Sequence, residues 1–114
     1  LHGACSGVLG EQRVVVTPGW FNETLATFPT NLRFALVSVD CDLYESTACV
    51  LEYLLGKQTY SDGCAVFFDD WYCNRGSPDF GEQKAWAEYT RKYQIRFTDW
   101  GPYSVVGRKF ILHR

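Results

Sequence analysis

The sequence predicts an α/β fold, with a mostly parallel sheet that closes in an antiparallel element. Two apolar runs, residues 34–39 (Phe-Ala-Leu-Val-Ser-Val) and 63–68 (Gly-Cys-Ala-Val-Phe-Phe), have the unbroken hydrophobicity of strands buried on both faces of a parallel sheet. A helical pattern follows each run. The chain then ends in two strand-like stretches, 95–100 and 103–112, joined at Gly101-Pro102, a link so short that only an antiparallel pair fits.

Each element has its own local reason. Residues 13–17 are a β-branched run stopped by Pro18-Gly19, which reads as a short strand and turn. Residues 20–25 begin a short helix or structured loop that Pro29 interrupts. After the 34–39 strand, Leu43, Thr47, Val50, Leu51, Leu54 and Leu55 recur at helical spacing as one apolar stripe. Asp42 and Glu45 have the form of a capping box at its start, and Gly56 suits its end. Ser77-Pro78 predicts the start of a second helix reaching about Tyr93, with Ala85, Trp86, Tyr89 and Tyr93 inward and Glu88 paired with Arg91 and Lys92 outside.

Composition narrows the function. A chain of 114 residues suffices for one domain. Its net charge of −2 and pI near 5.6 argue against a nucleic-acid footprint, which needs a basic patch. No run approaches the ~20 apolar residues of a membrane span, so a soluble protein is expected. Five cysteines without a C-x-x-C pair read as free buried thiols under intracellular redox conditions rather than a zinc or disulfide framework. The chain opens on Leu1 and holds no methionine, which leads us to expect a single incomplete domain, residues 1–114, of a longer protein.

The chemistry-bearing residues stand where the strands end. Asp40 and Asp42 follow the first apolar run, and Asp69 and Asp70 follow the second. Ligands in open α/β sheets bind beyond the carboxyl ends of the strands. Asp40 and Asp42, two apart in an extended chain, face one side, while Asp69 and Asp70 converge only if the chain is already turning. Carboxylates gathered this closely repel one another, and a hard divalent cation relieves that repulsion. His2 and His113 lie at the termini, away from such a site. Each pair also has a plainer reading, Asp42 as a helix N-cap and Asp69-Asp70 as the start of a polar loop.

Three blocks carry a resemblance. Residues 18–25 (Pro-Gly-Trp-Phe-Asn-Glu-Thr-Leu), 39–47 (Val-Asp-Cys-Asp-Leu-Tyr-Glu-Ser-Thr) and 68–71 (Phe-Asp-Asp-Trp) resemble successive signatures of the macrocin O-methyltransferase (TylF) family, from about Gln12 to the C-terminus. The resemblance implies the C-terminal portion of a Rossmann-like class I methyltransferase that uses S-adenosylmethionine and a divalent cation, typically Mg²⁺. The acceptor would be a hydroxyl on a sugar or related natural product, the location cytoplasmic, and the full-length parent open to forming a homo-oligomer.

Residue by residue, Asp40, Asp69 and Asp70 resemble the family's metal ligands, and Asp42 its general base. Trp20, Trp71 and Tyr72 are candidates for the acceptor pocket, with ordinary core or rim packing as the alternative. Cys41 and Trp71 depart from the usual glycine and tyrosine, which leaves the acceptor open.

The glycine-rich loop that such enzymes place after their first strand is absent, since Gly7 and Gly10 follow no strand. The first two strands are therefore expected to be missing, their place lying between residues 13–17 and 34–39, and the chain alone is expected to be inactive. Two rivals remain. Asp40-Cys41-Asp42 is also the Asp-x-Asp pattern of a metal-dependent glycosyltransferase, and a truncated domain need not be catalytic at all.

Overall fold

The computed structural model describes residues 14–41 and 43–114. Its elements are α1 (Phe21–Thr24), β1 (Phe34–Val39), α2 (Tyr44–Leu51) running into a π-helical turn (Glu52–Gly56), β2 (Tyr60–Phe68), α3 (Gly81–Lys92), β3 (Arg96–Pro102) and β4 (Arg108–His113). The four strands make one open sheet in the order β1-β2-β4-β3. β1 and β2 run parallel, with Val39 opposite Phe68, while β4 is antiparallel to both β2 and β3.

The α/β class and the closing antiparallel pair are therefore present, but one strand pairing of three is parallel, so the sheet is mixed rather than mostly parallel. Residues 14–17 form no strand, and Arg13 lies outside the described residues. A β-branched run gains its stability from the strand beside it, and no described strand flanks this one, which leaves Val15 83% exposed. The hairpin link is residues 103–107 rather than Gly101-Pro102, because both of those residues still pair with β4.

One sheet face is covered. Cys64, Val66 and Phe68 of β2 alternate inward with Phe110 and Leu112 of β4, and meet Leu51, Leu54 and Leu55 from α2 and the π turn and Ala85 and Trp86 from α3. At its centre Phe68 packs on Trp71, Trp86 and Phe110, with ring centroids 5.1, 5.3 and 6.0 Å away. The other face carries Phe67 of β2 and Trp100 of β3, neither covered by a helix. β1 is an edge strand with Leu36 60% exposed, so the expectation of burial on both faces fails there.

The predicted stripe holds except at its start. Thr47, Leu51, Leu54 and Leu55 are buried and Val50 packs against the core, but Leu43 is the exposed N-cap residue, and Thr47 Oγ1 bonds back to its carbonyl at 2.8 Å. Asp42, the expected cap, lies outside the described residues. The α3 helix starts at Gly81, four residues after Ser77. Gly81 has φ +58°, a left-handed conformation that glycine adopts without steric cost, and it turns the chain into the helix. Ser77 Oγ instead accepts the Asp79 N–H at 3.1 Å. Glu88 accepts a hydrogen bond from the Tyr44 hydroxyl, and Lys92 lies 3.8 Å from Glu52, so the predicted pairing along the outer side of α3 is replaced by contacts to α2 and the π turn.

Candidate functional site

Asp40 and Asp69 directly follow Val39 and Phe68, the last pair of the β1–β2 register, at the carboxyl ends of neighbouring parallel strands. The backbone continues the ladder to that point, the Asp69 N–H reaching the Val39 carbonyl at 3.2 Å. Beyond Phe68 the chain is already turning, and the two acids keep different partners. The Tyr103 hydroxyl donates to Asp69 Oδ1. The Asp70 N–H donates to Glu82 Oε1 at 3.1 Å, and Asp70 Oδ1 accepts from Cys73 Sγ at 3.6 Å.

Tyr103 reports on the electrostatics of this edge. Burial, and then the Asp69 carboxylate to which it donates, hold its hydroxyl above the ordinary tyrosine range, and the charges of Glu82 and Asp40 push the same way. These acidic groups therefore act on one spot from β1, β2 and α3. Glu82 is 1% exposed in the first turn of α3 and anchors the 69–76 turn through Asp70.

That turn is tied down at several points. Gln83 Nε2 donates to the Trp71 and Gly76 carbonyls at 2.9 and 3.1 Å, and the Tyr72 N–H donates to the Val106 carbonyl at 2.9 Å. Arg108 donates to the Tyr72 hydroxyl and grips Asp99 through Nε and Nη2.

The aromatic candidates are dispersed. Trp71 is buried, its ring 4.9 Å from that of Phe110. Tyr72 is half-buried against Arg108, whereas Trp20 is 77% exposed and lines a hollow with Glu45, Ser46 and Cys49. The best-formed apolar cavity, about 220 Å³ between α1 and β1, is lined by Phe21, Leu25, Phe28, Phe34 and Tyr53 among others and by none of the aspartates. Almost wholly apolar, it offers no group for acid–base chemistry, and the strand-end carboxylates remain the better site.

Among the described residues, no three His, Cys, Asp or Glu side chains gather to hold a metal ion. The Asp40, Asp69 and Asp70 set expected to bind Mg²⁺ is thus not brought together as such a group. Asp42 and His2 lie outside the described residues, and His113 sits on β4 with its ring nitrogen 2.7 Å from Thr98 Oγ1. Cys49 and Cys64 are free thiols, and only Cys64 of these two is fully buried. No helix among the described residues is long and apolar enough to cross a membrane.

Sequence reasoning missed Tyr103 and Glu82. Tyr103 lies 34 positions from its partner Asp69, and no local pattern links them. An acidic residue in the first turn of a helix was a usable signal for Glu82, hidden by placing the helix start at Ser77-Pro78.

Comparison with known proteins adds the chemistry. Residues 6–98 match the family described as Macrocin-O-methyltransferase (TylF). A 65-residue stretch is 45% identical to 8-demethyl-8-(2,3-dimethoxy-alpha-L-rhamnosyl)-tetracenomycin-C 4'-O-methyltransferase of Streptomyces olivaceus. That stretch is 57% of this chain and 23% of the relative, so the chain spans about a quarter of that protein's length.

Proposed function

Because the chain belongs to the macrocin O-methyltransferase (TylF) family, we propose that it forms the carboxylate-bearing edge of an enzyme that methylates a hydroxyl with S-adenosylmethionine. The acceptor is a sugar hydroxyl on a natural product, as the relative's name suggests by its rhamnosyl 4' position. The observation that carries the reading is the placement of Asp40 and Asp69 directly after the paired ends of β1 and β2, Val39 and Phe68. The order β1-β2-β4-β3 supports it, being that of the fourth, fifth, seventh and sixth strands of the class I methyltransferase sheet.

S-adenosylmethionine, when bound, supplies an electrophilic methyl group. No described residue is assigned to that cofactor, and the isolated chain is inactive in this reading. The chain's own part is to receive and activate the hydroxyl. A carboxylate at the strand ends accepts its proton as the new oxygen–carbon bond forms, Asp42 being the assigned base by resemblance, and a positioned base of this kind contributes typically 10²–10⁴-fold. Asp40 and Asp69 hold and orient the hydroxyl, which is where much of the rate of such a transfer arises. Among the described residues no three ligands for a divalent cation come together, and no step is assigned to one. The glycosyltransferase reading of Asp40-Cys41-Asp42 gains no support from the family match.

The test is methyl transfer by the full-length protein, followed as S-adenosylhomocysteine release, with the rhamnosyl tetracenomycin named for the relative as probe acceptor. Asp40→Asn and Asp69→Asn are each expected to lower kcat by about 100-fold or more. Wild-type turnover in both variants refutes the assignment.

A further inference from the structure

We propose that Tyr103 is a positioning residue that fixes the direction of the Asp69 carboxylate, an inference that rests on reading Asp69 as part of the reaction site. Its hydroxyl donates to Asp69 Oδ1. An aspartate side chain samples several rotamers, and one charge-assisted hydrogen bond from a fixed donor selects among them.

The donor is fixed three times over. The Tyr103 ring stands edge-on to Phe67, centroids 5.1 Å apart. The 103–107 turn closes on itself through Tyr103 N–H to the Gly107 carbonyl at 3.4 Å and Gly107 N–H to Ser104 Oγ at 2.8 Å. Its far side is fastened to the turn carrying Asp69 by the Tyr72–Val106 backbone bond of 2.9 Å. Gly107 lies against this arrangement so closely that a Cβ there would come within 2.7 Å of the Tyr103 ring and 2.6 Å of Ser104 Oγ. Packing on Phe67 alone would explain a ring at position 103. It would not explain a hydroxyl aimed at Asp69.

Tyr103→Phe separates the two, since it keeps the ring and deletes the donor. In the full-length protein, with the same probe acceptor, we expect an unchanged melting temperature, kcat lowered about tenfold and an unaltered KM for S-adenosylmethionine. In an Asp69→Asn background the same substitution is expected to cost less than about twofold, because the group it orients is gone. Crystal structures of wild type and Tyr103→Phe supply a readout independent of turnover, the Asp69 carboxylate being expected to leave its wild-type rotamer. Wild-type kcat in Tyr103→Phe, equal losses in both backgrounds, or an unmoved Asp69 overturns the proposal. Full activity of Asp69→Asn instead overturns the function assigned to Asp69, and the crystal comparison still judges Tyr103.

Discussion

Replacing Phe68 with alanine tests the packing that carries Asp69 and Asp70. Phe68 is 0% exposed and touches three aromatic rings, those of Trp71, Trp86 and Phe110, at centroid distances of 5.1, 5.3 and 6.0 Å. A buried Phe→Ala change costs about 3–5 kcal/mol through lost transfer energy and the cavity left behind. Each aromatic pair contributes about 0.5–1.5 kcal/mol beyond area, partly counted in that figure, so about 4 kcal/mol is expected. Against a typical total of about 5–15 kcal/mol, this is a large fraction of the stability. Urea unfolding followed by tryptophan fluorescence suits the measurement, because Trp71 and Trp86 are the direct neighbours. Phe68→Leu, which retains most of the volume, is expected to lose only about 1–2 kcal/mol and guards against complete unfolding of the alanine variant. A loss below about 1 kcal/mol in Phe68→Ala would show that the three rings do not form the centre of this core.

Two further outcomes follow from the electrostatics. The guanidinium of Arg108 holds the Asp99 carboxyl below its ordinary value of 3.8, so the pair's stabilisation is present above that pH and is lost as pH falls through the depressed folded value. With the two side chains 24% and 45% exposed, screening limits the effect, and Asp99→Asn should cost less than about 1 kcal/mol at pH 7 and progressively less as the pH is lowered below 3.8, by urea titration. Burial pushes the Cys64 thiol up to about 11, so a thiol reagent at pH 8 should label half-buried Cys49 before Cys64 and reach Cys64 only on unfolding, as peptide mapping would record.

The parts of the fold legible in the sequence were those whose signal is local. Residues 34–39 appear as a strand with the predicted bounds because six consecutive residues suited to strand sit between polar neighbours. The strand containing residues 63–68 begins earlier, at Tyr60, because Tyr60 pairs with Phe34 across an irregular stretch of the β1–β2 register that no local pattern announces. The α3 start was misplaced because Ser77-Pro78 satisfies the rules for a helix N-terminus as well as Gly81 does, and only the tertiary position of the 69–76 turn decides between them. The aspartate pairs were visible as strand ends. Their different partners, Tyr103 for Asp69 and Cys73 for Asp70, were not, because those contacts are set by the turn that follows β2 and by a distant hairpin.

The bonds from Tyr72 to Val106 and from Arg108 to Tyr72 join the segment after β2 to the hairpin tip between β3 and β4. Hairpin tips normally absorb insertions and sequence drift at little cost. Here the tip is buckled to the strand end that bears Asp69, so lengthening residues 103–107 by even one residue displaces a carboxylate on another strand. Variation in this short stretch is thereby a means of re-aiming the proposed reaction edge without touching any of its acids.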